Sequence, residues 1–253
     1  MESILNNSLQ PNQILICIDG ALSDDFLQIV NSYKHLNYYE VHQFNKIGLS
    51  MILNHGIELS KHEWIVRADG DDINSLNRFF ILSKYMAQNY DLIGSYVIDR
   101  DEKNNKDFIK KLPLDFNTIK AYAKYRNPFN HMSVAFKKST VEKLNGYPHL
   151  FLKEDYGLWI KMINNNCKLI NIPDKLVYVN ANSDMYSRRG GFQYIKSEIE
   201  LFKFKIKFNI SNSIEAFLIL IMRSAFIIFP NIFKIFLYKK FFRKNTQVNK
   251  SYF

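Results

Sequence analysis

Apolar residues in the first hundred positions fall in short blocks divided by turn residues. Ile14–Ile18 is an apolar run ending in Asp19-Gly20, which predicts a strand entering a turn. Ser23-Asp24-Asp25 then starts a helix over about residues 25–34. Tyr39–Phe44 reads as a second strand. A helix over about 47–59 follows, with Leu49, Ile52, Leu53 and Ile57 near helical spacing. Trp64–Ala68 is a strand that runs straight into Asp69-Gly70-Asp71-Asp72. A helix over about 74–88 carries Leu76, Phe79, Phe80 and Tyr85. Asp91–Ile98 gives a further strand, and Asp99–Lys111 reads as a charged loop. The alternation of strand and helix predicts an α/β sheet with mostly parallel early strands.

Sheets of this kind gather their chemistry at the carboxyl ends of the strands. Asp19 sits at one such end, and Asp69, Asp71 and Asp72 sit at another. Carboxylates this close raise one another's pKa unless a positive charge joins them. A divalent ion such as magnesium or manganese suits such hard oxygen ligands, with phosphate and water completing its shell. A solvated turn in which Asp72 or Asn74 caps the next helix explains the same residues. Further along, Glu154-Asp155 opens an amphipathic segment whose Leu158, Trp159, Met162 and Ile163 face inward. Acidic residues also suit a helix start for electrostatic reasons alone.

Composition changes the picture mainly at the carboxyl end. A hydrophobic share of 47% over 253 residues excludes a disordered chain. Cys17 and Cys167 form no metal-spacing cluster, which points to a reducing compartment. The polar stretch 1–13 does not read as a signal peptide. Of the +10 net charge, most falls in residues 196–253, with eleven lysines and arginines against three glutamates. That tail is also rich in Phe, Ile and Leu, broken by Arg223, Pro230 and Lys234, so no run reaches the roughly 20 apolar residues of an unbroken span. A soluble core helix pair, a tilted span and a helix pair lying in the membrane interface all remain open. Lys239, Lys240, Arg243 and Lys244 beside Phe236, Phe241 and Phe242 favour the interface and an anionic membrane surface. Nucleic acid is not the expected partner, because the bases alternate with long aliphatic residues.

Several segments, in order, resemble the family 2 inverting glycosyltransferases, within them the bacterial polysaccharide and lipopolysaccharide enzymes. They are Asp19-Gly20; Asn45, Gly48 and Asn54 in NKIGLSMILNHGI; WIVRADGDDINSLNRF from Trp64; NPFNHMSVAF from Asn127; Lys153–Met162; and YSRRGG from Tyr186. The resemblance implies a GT-A nucleotide-diphospho-sugar transferase fold over residues 1–195, followed by a basic, aromatic, membrane-associating helical tail over 196–253. It also implies that the family's first strand has no counterpart here, since Met1–Asn7 matches the end of the helix that follows it. Ile18 stands where many relatives place a second acid.

By the same resemblance the donor is a nucleotide-diphosphate sugar, most often uridine-based, with Mn2+ or Mg2+ as cofactor. Asp71 and Asp69 are the implied metal residues. Asp19, Asp69, Arg188 and Arg189 are the implied donor contacts, the two arginines being equally suited to lipid headgroups. Asp155 is the implied catalytic base. His131, Glu154 and Trp159 are candidates for contacts to the acceptor or the diphosphate, although His131 and Trp159 also suit structural roles. The acceptor is a saccharide or lipid-linked saccharide, and the place of work is the cytoplasmic face of the membrane. A nucleotidyltransferase and a non-catalytic membrane-associated scaffold are the rival readings.

Overall fold

The computed structural model describes residues 1–101, 106–180, 192–228 and 244–245. A short helix α1 (Glu2–Leu5) precedes β1 (Ile14–Asp19), α2 (Asp24–Ser32), β2 (Tyr39–Phe44) and α3 (Leu49–Leu59). Then come β3 (Trp64–Val66), β4 (Ile73–Asn74), α4 (Arg78–Met86), β5 (Leu92–Asp101) and β6 (Lys106–Lys110). Helix α5 (Phe116–Tyr122), β7 (Ala135–Lys137), α6 (Lys138–Lys143), α7 (Glu154–Asn164) and β8 (Leu169–Asn180) complete the central part. Two 16-residue helices, α8 (Phe192–Lys207) and α9 (Ser213–Ile228), follow, and β9 (Lys244–Asn245) pairs with β6.

Strand β5 is the hub of a seven-stranded sheet. Its first residues pair antiparallel with β7, its last with β6, and its other edge runs parallel to β8 through a bulge at Ser95–Val97. The bulge lets one long strand serve partners that diverge. Leu92, Ile93, Val97 and Ile98 on β5 are almost fully buried, as expected for a strand covered on both faces. Antiparallel β3–β7 and β4–β8 pairs extend the sheet, so parallel pairing holds for β1–β2 and β5–β8 but not for β3.

The sheet is divided. Strands β1 and β2 form a separate two-stranded parallel ribbon, and among the described residues β3 pairs only with β7. The starts of β1 and β3 are nevertheless tied. Gln13 accepts from Lys61 N at 2.9 Å and donates to the Leu59 carbonyl at 3.4 Å.

Two expectations change at this level. Asp99–Lys111 is not simply a charged loop: β5 continues to Asp101 and turns back as β6, with Ile98 opposite Ile109 and Phe108 buried. Helix α4 starts at Arg78 with Asn77 as its cap residue, so neither Asp72 nor Asn74 caps it. Asn74 instead lies in β4 and accepts a hydrogen bond from Arg78.

Helix α7 is the centre of the core. Leu158, Trp159, Met162 and Ile163 have no exposed surface, and Leu201 of α8 and Ile210 join the same cluster. The segment beginning at residue 196 is therefore built into the core at its start. No helix among the described residues is long and apolar enough to cross a membrane.

Candidate active site

Arg78 builds the acidic loop from behind. Fully buried, its guanidinium donates to Asn74 Oδ1, to the Arg67 carbonyl at 2.7 Å and to the Met132 carbonyl at 3.0 Å. Burial lowers its pKa to about 10, against the opposing charges of Asp72 and Asp69. One side chain thus fixes the exit of β3, the start of β4 and the turn at His131–Ser133 relative to one another. From that fixed exit, Arg67 reaches Asp69 in a 2.6 Å ion pair. Asp71 is exposed and makes no hydrogen bond or ion pair with a described residue.

Asp19 ends β1 and accepts from the backbone of the next loop, Ile47 N at 2.7 Å and Gly48 N at 3.1 Å. Gly48 takes φ +90°, a region that disfavours side chains. Asp19 therefore organises the entry to α3 as well as standing exposed at the strand end. Asn54 on α3 exchanges two hydrogen bonds with the Tyr147 backbone, at 2.7 and 3.0 Å. Two of the three residues singled out in NKIGLSMILNHGI, Gly48 and Asn54, thus act through backbone groups of the loops.

The acid pair sits on the first turn of α7. Asp155 accepts from Asn127 Nδ2 at 2.6 Å and from Tyr156 N at 2.7 Å, and burial nevertheless raises its pKa. Glu154 is buried beside it. Burial first, then the Asp155 charge, push its pKa up to about 7. Two adjacent carboxyls thus occupy different environments, one hydrogen-bonded and one largely deprived of water. The chain enters this turn through Leu152 at φ +59°, a left-handed conformation that is strained for leucine. Gly157 lets α7 approach Pro148, whose Cγ lies 2.5 Å from where a Cβ would be.

His131 lies partly buried against Tyr147 and Trp159, and its Nε2 lies 3.0 Å from the Tyr147 hydroxyl. Burial, then the Arg67 charge, lower its pKa to about 3, so it is neutral in ordinary buffers. Trp159 requires a correction. It has no exposed surface and packs on Phe129, His131 and Tyr147, so it is core and does not wall an acceptor site. Arg188 and Arg189 lie outside the described residues.

Pattern reading passes over one residue of the site, Arg67. Arg67 pairs with Asp69 and its charge is felt at His131, Tyr147 and Glu154. The available signal is a single cation at the exit of an apolar strand, immediately before three carboxylates. Asn127, the partner of Asp155, was similarly visible only as part of NPFNHMSVAF. Behind the acid pair, Lys153 joins Glu198 of α8 at 2.8 Å, and Arg223 of α9 grips the same carboxylate through two bonds of 2.7 and 2.8 Å. Burial opposes the Glu198 charge, but Arg223 and Lys153 prevail and hold its pKa at about 2.

Among the described residues no three His, Cys, Asp or Glu side chains gather into a complete cage for a metal ion. Exposed Asp71 and partly buried Asp69, the latter paired with Arg67, offer hard oxygens that fit magnesium or manganese as part of a shell completed by phosphate and water. A surface recess of about 420 Å3 lined by Phe116, Cys167 and Leu169 lies at the opposite ends of β5 and β8 and contains none of these acids.

The fold and this arrangement define the GT-A type of transferase. Residues 1–143 match the model of glycosyl transferase family 2, and the chain belongs to that family. The UDP-Gal:alpha-D-GlcNAc-diphosphoundecaprenol beta-1,3-galactosyltransferase of Escherichia coli is 35% identical over 251 residues, covering 96% of this chain and 90% of that protein. The amylovoran biosynthesis glycosyltransferase AmsE of Erwinia amylovora is 33% identical over 243 residues, covering 95% and 91%. Among solved structures, S. aureus TarS 1–349 in complex with UDP-GlcNAc superposes with a TM-score of 0.64 at 13% identity, covering 88% of this chain and 66% of that one. The mannosyltransferase PcManGT from Pyrobaculum calidifontis, in complex with GDP-Man and Mn2+, gives 0.60 at 16%, covering 92% and 66%. At those identities the likeness is one of fold, and this chain spans about two thirds of each of those solved chains.

Proposed function

We propose that this chain transfers a sugar from a nucleotide-diphosphate donor to a hydroxyl of a saccharide acceptor, with inversion at the anomeric carbon, in bacterial cell-surface polysaccharide synthesis. The observation that carries the reading is Asp155, held at 2.6 Å by Asn127 on the first turn of α7. A uridine diphosphate sugar and a diphospholipid-linked acceptor are the favoured substrates, because the E. coli relative is named for both. An acceptor of that kind places the enzyme at the cytoplasmic face of a membrane.

Asp71 and Asp69 would hold a divalent ion, Mn2+ or Mg2+, which would supply positive charge for the departing diphosphate, and Asp69 would also lie near the ribose. Asp19 lies on the nucleotide side, and Arg188 and Arg189 pair with the diphosphate through forked hydrogen bonds. Asp155 accepts the acceptor hydroxyl proton as that oxygen bonds to the anomeric carbon. The bond from that carbon to the diphosphate oxygen breaks on the opposite face, and the electron pair leaves with the diphosphate. Asn127 fixes the carboxylate so that position compensates for the modest basicity of an aspartate. Glu154, with its raised pKa, keeps negative charge beside Asp155 low, while neutral His131 supports the acceptor side as a polar wall.

The test is Asp155→Asn, assayed for both uridine diphosphate binding with Mn2+ and sugar transfer. Loss of transfer with binding retained supports the base assignment, and retained transfer refutes it. Absence of nucleotide binding in the unaltered protein refutes the enzyme reading and favours a scaffold.

A further inference from the structure

Helix α9 has two apolar-rich faces, and among the described residues only one of them packs against the rest of the protein. Ala216, Ile219 and Arg223 turn inward, the first two nearly fully buried and the third bound to Glu198. Ile214, Phe217, Leu218, Ile221 and Met222 turn outward and are 50–76% exposed. At 3.6 residues per turn these five span an arc of about 140°. A surface helix of a soluble domain carries polar residues on that arc, and a contiguous apolar patch marks an interaction site.

The patch continues onto α8. The Phe202 and Phe217 rings meet at 6.5 Å, and Ile199 and Phe192 are exposed further along the same helix. Exposed Lys196 and Lys203 stand one helical turn from Ile199 on either side. The acids nearby do not oppose them strongly. Glu198 is committed to Lys153 and Arg223, Glu215 to Lys124 and Tyr125, and Glu200 is half-buried at the flank. The sequence beyond α9, residues 229–253, contains six lysines and arginines and no acid.

We infer that the outer face of α8–α9 is the surface by which this protein docks on an anionic phospholipid bilayer. Phe217, Leu218, Ile221 and Met222 enter the boundary between headgroups and acyl chains, and Lys196 and Lys203 meet the headgroup charge. A second copy fits less well, because a two-fold contact joins the same patch on both subunits and brings two lysine-rimmed faces together. The inference deepens the membrane location proposed above, while the inner face of the same helix reaches Lys153 and so the acid pair.

The experiment is co-sedimentation of the full chain with phosphatidylcholine vesicles with and without phosphatidylglycerol, at low and high salt. No donor or acceptor is present, so failure here is separate from failure of sugar transfer. Leu218→Glu combined with Met222→Glu is the variant, with thermal melting and sedimentation velocity alongside. The expected result is salt-sensitive binding to phosphatidylglycerol vesicles that weakens at least about tenfold in the variant, as loss of two buried apolar side chains requires, with an unchanged melting temperature. Absence of binding by the unaltered chain, or equal binding by the variant, overturns the inference. So does a dimer that the variant dissolves, or a fall in melting temperature showing that the chain itself covers the patch.

Discussion

Glu198 of α8 holds Lys153 at 2.8 Å, one residue before the acid pair, with both side chains nearly excluded from water. Lys153 also donates to the Tyr194 hydroxyl at 2.9 Å and lies over its ring. Arg223 completes the group from α9. The carboxyl-terminal helices therefore fix the backbone that presents Asp155. Glu198→Ala strands two cations, one of them deeply buried, and should destabilise the fold by about 3–5 kcal/mol. Denaturant unfolding measures this, and a change below about 1 kcal/mol contradicts it.

The same group sets an acid limit on stability. The Glu198 pKa falls from 4.5 to about 2 on folding, so its contribution is present above pH 4.5 and is lost as pH falls toward 2. The Glu154 pKa moves the other way, from 4.5 to about 7, so its favourable contribution is complete below pH 4.5 and is lost as pH rises through 7. Melting temperatures of Glu154→Gln should fall less than those of the unaltered chain between pH 4.5 and 7. Parallel curves contradict the assignment.

Asn127→Ala removes the 2.6 Å bond that favours ionised Asp155. The acid limb of the pH–rate profile should move to higher pH, and kcat should fall about tenfold or more through lost positioning. A uniform fall with an unmoved limb assigns Asn127 to folding alone.

His131 should show no titration between pH 5 and 8, because burial and Arg67 lower its pKa to about 3. Its ring resonances in an NMR titration should stay flat across that range. A midpoint near 6.5 contradicts the buried, neutral assignment.

Much of this was legible in local pattern. Ile14–Ile18, Tyr39–Phe44 and Trp64–Val66 are strands, and Leu158, Trp159, Met162 and Ile163 do face the core, because each signal lies within a few residues of itself. The β5–β6 hairpin was less legible, since Lys106–Lys110 sets three charges around Phe108 and Ile109 without alternation and takes its strand form from pairing across to β5. The links around the site are the least local of all. Lys153 and Glu198 are 45 residues apart, Asn127 and Asp155 28, and no periodicity joins such pairs. Trp159 illustrates the converse: its place one helical turn after Asp155 suits both the core and ligand contact, and its complete burial decides for the core.

The divided sheet has its own consequence. A two-stranded ribbon is marginal alone, so β1–β2 should open more readily than β5–β8. Native-state hydrogen exchange should find amides of Leu15–Ile18 exchanging faster than those of Ile93–Val97. Equal protection contradicts it.

The most direct test of the central claim is transfer of sugar from a uridine diphosphate donor by Asp155→Asn beside the unaltered chain, with an acceptor bearing a diphospholipid-linked saccharide. The proposed chemistry predicts turnover reduced at least about a hundredfold while Mn2+-dependent binding of uridine diphosphate is unchanged. Turnover retained within a few-fold contradicts it.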